Sequence, residues 1–263
     1  MTLSSSWHCF KGILVREFLR FVQQRSRFLS ALIRPLLWLI VFAAGFRAAL
    51  GIAIIEPYET YITYEVYIAP GLCCMILLFN GMQSSLSMVY DREMGSMRVL
   101  LMSPLPRPYL LLCKMVATAL ISLTQVYAFL VIALLVEVEP PLIGYLTVLP
   151  ALMLVAMMLS SLGLLLSTRI KQLENFAGVM NFVIFPMFFL SSALYPLWKM
   201  QEASEWLYWL CQVNPFTHAV ELVRYALYSQ LNTDALIITA GATLLFSAVA
   251  VTGFSPQKGN GRG

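Results

Sequence analysis

The sequence predicts an all-α integral membrane protein. It reads as six transmembrane helices with both termini in the cytoplasm, an N-terminal interfacial amphipathic helix, and short outer helices before the last span. Three observations carry that reading. Of 263 residues, 60% are hydrophobic and only 11% charged, less than half the roughly 25% charge of a soluble domain. Too little polar surface is left to coat a water-soluble globule of this size. Apolar runs long enough to cross a hydrocarbon core of about 30 Å recur along the chain, and the basic residues gather on one side of them.

The first element is a helix over residues 7–27 within a cytoplasmic segment 1–28. Trp7, Phe10, Leu14, Phe18 and Phe21 fall on one side at spacings of three and four, and Arg16, Arg20, Gln23 and Arg27 on the other. That pattern suits a helix lying in the inner interface with its basic residues toward anionic headgroups. A helix packed on a cytosolic partner is the alternative. Lys11, Arg16, Glu17 and Arg20 interrupt any apolar core a signal peptide would need, so the first apolar run is expected to remain as an anchor.

A six-span transmembrane domain over 29–254 follows, with spans near 29–46, 67–90, 109–136, 145–168, 174–196 and 234–254. None carries a charge near its middle. Arg34, Lys114 and Glu174 lie close enough to an end for their side chains to snorkel. Placing the N-terminus inside puts fourteen of the 17 basic residues in the cytoplasm and leaves only Arg47, Lys199 and Arg224 outside, which sets the orientation. Residues 197–233 are amphipathic and rich in Trp and Tyr, as short helices in the outer interface would be. The tail 255–263 reads as disordered. The five cysteines have no metal-ligand spacing and read as small buried hydrophobes.

Several chemistries lack their residues. The two histidines form no HExxH, and no serine lies in a GxSxG frame. His218 and Glu221 could be half a metal site, but no second pair of ligands accompanies them, and an ordinary polar face is the simpler reading. A proton- or ion-coupled carrier needs ionisable groups at membrane depth. The deepest polar residues are instead Asn80, Gln83, Gln125 and Asn181, better suited to bonding across helices. Ser160, Gly163 and Ser167 could mark a close helix contact or face lipid. A Walker A loop places glycine before its lysine so that backbone amides can cradle phosphate. The five lysines follow Phe10, Cys113, Ile170, Trp198 and Gln257. ATP hydrolysis, if it drives this protein, belongs to another subunit.

One compact stretch breaks the apolar pattern: MVYDREMGSMRVLLMSPLPRPYLLLCK, residues 88–114. The orientation puts 91–108 in the cytoplasm. The helix of the second span can continue through Leu101, and Pro104, Pro106 and Pro108 then break it. A short charged helix ending in a rigid turn suits docking into a partner's groove. A plain loop obeying the positive-inside bias explains the same residues equally well.

This stretch resembles the signature of ABC-2 type exporter permeases, an acid-Arg-Glu-x-Gly-(Ser/Thr) element followed by a Leu-x-x-(Ser/Thr)-Pro turn and a later lysine. Asp91, Arg92, Glu93, Gly95 and Ser96 fill the first part, and Leu101, Ser103, Pro104, Arg107 and Lys114 the second. FPMFFLSSALYPL (185–197) resembles the family's fifth span through Pro186, Leu190, Ser191, Ser192, Tyr195 and Pro196, with Ser192 where glycine is frequent. NPFTHAVELVRYALY (214–228) matches its Asn-Pro…Arg element through Asn214, Pro215 and Arg224.

The resemblance, nearest to the drug-resistance and nodulation-factor exporter branch, implies a non-catalytic permease subunit in a bacterial inner membrane. Asp91, Arg92, Glu93, Gly95, Arg98, Leu101, Pro104 and Arg107 would couple it to a separate ATP-binding subunit, which holds ATP-Mg. Pro186, Ser191, Ser192, Pro196, Asn214, Pro215 and Arg224 would shape the fifth span and outer gate. A second permease copy or paralogue completes the transporter, membrane lipids surround it, and no nucleic acid is involved. Exported cargo of that branch is amphipathic, lipid-linked or glycosylated. An ion-coupled carrier and a non-transporting assembly protein are the rival readings.

Overall fold

In lipid a backbone has to satisfy its own hydrogen bonds, so apolar runs rich in Leu, Met and Ala fold as helices. The computed structural model describes residues 3–23, 25–46, 56–58, 62–95, 106–136, 138–170 and 172–253. These form α1 (Leu3–Gln23), α2 (Arg25–Phe46), α3 (Tyr64–Glu93), α4 (Arg107–Ala133, prolonged by a 3₁₀ turn Leu134–Val136), α5 (Gly144–Arg169) and α6 (Leu173–Phe189). Three short helices, α7 (Leu197–Ala203), α8 (Glu205–Val213) and α9 (Pro215–Leu227), precede α10 (Thr233–Gly253). Among the described residues, four helices are by length and composition able to cross a membrane: α3, Pro108–Val136, α5 and α10. Shorter apolar stretches lie at Ala31–Val41 in α2 and along α6.

The core forms around α3, which packs against α2, α4, α5, α6 and α9. Ile68, Leu72 and Ile76 of α3 are buried with Leu39 of α2, Phe129 of α4, Leu152 and Leu159 of α5, Phe188 of α6 and Phe216 of α9. At 30 residues, α3 is about 45 Å long and overreaches a hydrocarbon core of about 30 Å. Its charged end is thereby carried beyond the apolar layer. By contrast, among the described residues α10 packs along one side, mainly on α5 and α9 with a small contact to α4. It leaves Ile237 and Leu244 about two-thirds exposed or more, at 68% and 72%, as a lipid-facing helix does.

The close-contact reading of Ser160, Gly163 and Ser167 holds. A Cβ on Gly163 would collide with Ser85 Oγ and lie 2.9 Å from the Gly81 carbonyl, so α3 and α5 touch backbone to backbone there. Ser160 and Ser167 are buried beside it.

Two helix ends depart from expectation. The second span stops at Glu93 and does not run on to Leu101, because Gly95 takes φ +73°, a left-handed turn that glycine adopts without strain. The Met94 and Gly95 amides close the helix onto the Tyr90 and Arg92 carbonyls. The apolar run 174–196 is likewise helical only to Phe189. Beyond it, side chains from other elements satisfy the backbone groups, so the chain can turn without leaving them unpaired.

Candidate functional site

Two polar constellations occupy opposite ends of the bundle. At the charged end of α3, Asp91 is 4% exposed. Arg20 of α1 clasps its carboxylate, with Nη2 donating to Oδ1 at 2.9 Å and Nη1 to Oδ2 at 3.3 Å. Arg16 Nη2 stands 3.6 Å from Oδ2 and donates to Glu17 Oε1 at 3.1 Å. The hydrogen bonds to Asp91 hold the Arg20 guanidinium above its ordinary range. The basic side of α1 therefore turns onto α3, while Trp7 and Phe18 on its apolar side are 63% and 55% exposed. A sequence pattern reveals such a helix's two sides but not which one faces the protein.

Arg92 donates from Nη1 to the Ser167 carbonyl at 2.9 Å. It supplies a cation to the last turn of α5, where unpaired carbonyls concentrate negative charge. Glu93 and Gly95 are exposed. Arg98, Leu101 and Pro104 lie outside the described residues, and Arg107 opens α4. Lys114, one helix face away, is buried and donates to Ser87 Oγ at 3.2 Å.

The opposite constellation is built on residues 190–196. After Pro186 accepts the Leu190 amide at 2.9 Å, the chain reverses around Ser191, whose Oγ donates to the Phe188 carbonyl at 2.6 Å and accepts from the Ala193 amide at 3.2 Å. Asn214 locks this turn to α9. Its Nδ2 donates to the Met187 and Leu190 carbonyls at 2.8 and 2.6 Å, and its Oδ1 accepts the Phe216 amide at 3.0 Å. An N-cap followed by proline at the first helical position starts α9 efficiently, which is the physical content of the Asn214-Pro215 pair. Pro196 stands one place earlier, as the N-cap of α7, where its carbonyl accepts the Lys199 and Met200 amides at 3.1 and 3.4 Å.

Arg224 ties the constellation together. It is 2% exposed, ion-paired to Glu221 one turn earlier, and its Nη2 donates to the Ser192 carbonyl at 2.8 Å. The guanidinium lies 4.1 Å from the centre of the Tyr67 ring, a cation–π contact. Burial works against its charge, and the Glu221 carboxylate outweighs that, holding Arg224 above its ordinary range. Tyr67 and Tyr64 donate to the Ser192 and Leu194 carbonyls at 2.9 and 2.8 Å. Sequence reasoning missed these two tyrosines, although a pair three residues apart at the start of a span is a visible signal for hydroxyls reaching one partner. Glu221 is thus committed to Arg224, and His218 Nε2 sits 2.9 Å from the Gln212 carbonyl, the arrangement of a polar face. Asn80 donates to Gln125 across α3 and α4, as a cross-helix bond. Asn181 is exposed on α6.

Comparison with known proteins agrees with this architecture. The family model of the ABC-2 type transporter matches residues 8–228. A protein of Pyropia yezoensis named as a transport permease, ycf38, is 31% identical over 225 residues, covering 84% of this chain and 74% of its own. Its namesake in Cyanophora paradoxa is 26% identical over 220 residues, covering 82% and 73%. A protein of Escherichia coli K12 named as a multidrug ABC transporter permease, YbhR, is 28% identical over 170 residues, covering 64% of this chain and 45% of its own. An all-helical bundle with several apolar helices, matched over most of its length, makes this chain a member of the ABC-2 type transporter family.

Proposed function

We propose that this chain is the permease subunit of an ATP-binding cassette exporter, in which a separate subunit hydrolyses ATP. Six spans, four formed by α3, α4, α5 and α10 and two by α2 and α6, would leave both termini in the cytoplasm. A second copy or a paralogue completes the pathway, and the cargo is amphipathic. A bacterial inner membrane is the fitting location.

The observation that carries the coupling part is the end of α3. Asp91 is anchored to α1, Arg92 to α5, and immediately afterwards Gly95 turns the chain while Glu93 stays exposed. A partner pushing on 93–107 would therefore act on three helices at once. In this reading Asp91 and Arg92 transmit the push, and Glu93, Arg98, Leu101, Pro104 and Arg107 meet the partner. The missing glycine-lysine pair supports placing ATP-Mg in that partner.

Reversing charge with Glu93→Arg and Arg98→Glu tests it. Co-purification of the ATP-binding subunit should be lost while membrane insertion is kept. Undiminished co-purification would refute the coupling assignment, and transport abolished by an uncoupler with ATP maintained would point to a carrier.

A further inference from the structure

Facing sides of α3 and α4 carry polar residues at helical spacing. Asn80, Ser84 and Ser87 recur on α3, and Thr118, Ser122 and Gln125 on α4, at intervals that keep side chains on one face. Each stripe runs about 10 Å along its helix. Cross-helix pairs join them: Asn80 with Gln125, and Ser84 with Thr118 at 2.7 Å. Such pairing alone would be helix glue.

The stripes do not close on each other. Between α1, α3 and α4 they leave a cavity of about 70 Å³, room for roughly two waters at about 30 Å³ each. Gln83 lines it, and among the described residues its carboxamide makes no hydrogen bond. Glu17 and Arg20 of α1 form part of the wall, beside Phe21 and Ile121. Both charges are already matched, Glu17 by Arg16 and Arg20 by Asp91, and Lys114 lies behind Ser87 rather than in the lining. Among the described residues of the lining, neither an anion nor a cation finds an uncommitted counter-charge. Hydroxyls and carboxamides, which both donate and accept, line the rest.

We propose that this cleft binds the uncharged, hydroxyl- or amide-bearing headgroup of an amphiphile. The apolar tail would start on Phe21 of α1 and Ile121 of α4, the apolar part of the lining. The proposal rests on the transport reading and deepens it by naming the headgroup chemistry and its place within one subunit.

The test uses full-length Gln83→Cys in lipid nanodiscs, on a background whose native cysteines are replaced, with a small charged thiosulfonate as the reagent. The thiol should react, because the cleft is wet. Dodecanamide, whose small uncharged head suits a cleft of this size, should slow labelling roughly tenfold when it exceeds its Kd by about an order of magnitude. Dodecanoate and dodecylammonium, with tails and heads of matching size, should not at about pH 8.5, where both are charged. An unreactive thiol in a folded chain, equal protection by all three, or protection by none overturns the proposal. Ser122→Cys on the facing wall gives the same reading should Gln83→Cys fail to fold. Labelling needs no ATP-binding subunit, so its failure is distinct from a failed co-purification.

Discussion

The two ends of the bundle hold an arginine by opposite means. Arg224 is shut away, with its carboxylate one turn distant on the same helix and its remaining contacts on the backbone of 190–196 and the ring of Tyr67. Arg20 has a side chain 34% exposed, and its carboxylate belongs to a different helix. The first arrangement carries its own neutralisation and fixes a turn in place. The second is a joint between separable elements, open to solvent on one side. Exposed ion pairs contribute little and are screened by salt, whereas breaking a buried pair strands a charge. One end is thus built as a knot and the other as a joint that can be moved.

That contrast can be broken by substitution. The largest effect should come from Arg224→Met, which strands Glu221 and leaves the Ser192 carbonyl to the Tyr67 hydroxyl alone. A loss of about 3–5 kcal/mol is expected, measured by thermal unfolding in nanodiscs, and pairing it with Glu221→Leu should restore part of it. A loss below about 1 kcal/mol would mean the knot is not buried as described.

Gly71→Ala comes next. Its new Cβ would lie 2.6 Å from the Ala193 carbonyl oxygen and 2.7 Å from the Ala193 Cα, backbone that cannot swing aside, so overpacking of about 1–3 kcal/mol is expected. Asn214→Ala, which releases the α9 cap and two carbonyls, should cost about 1–2 kcal/mol.

At the joint the effects should be smaller. Asp91→Asn keeps the shape and removes the charge, for a loss of about 1 kcal/mol after allowing for the exposure of Arg20. It should also make protease cleavage between α1 and α2 faster, and wild-type protein in high salt should show a milder form of the same change. Arg92→Gln should be smallest, about 0.5 kcal/mol, since it removes only the cation at the end of α5. If Asp91→Asn were as damaging as Arg224→Met, the two ends would not differ in kind.

Legibility in the sequence also divided between the two ends. The Asn214-Pro215 start of α9 and the Ser191 turn are local devices, each completed within a few residues, so their motifs could be read directly. Arg224 could be singled out but not placed. By sequence it reads as an outer charge, and only packing shows it dry. Asp91 and Arg20 are 71 positions apart, and no periodicity joins them. The inward turn of α1's basic side, the partnership of Tyr64 and Tyr67 with 192–194, and the open seam between the α3 and α4 stripes are of the same long-range kind.

By itself the sequence determined that this chain lives in lipid, that it is helical, where its long apolar helices run, and which segment is charged and proline-broken. Those properties follow from composition and from short-range rules of backbone satisfaction, which need no knowledge of neighbours. Only the tertiary structure decided where helices stop within apolar runs, which face of α1 meets the protein, and which polar groups remain unpaired. Each of those depends on a partner from a distant part of the chain. A backbone group in lipid takes whichever hydrogen bond the packed bundle brings within reach.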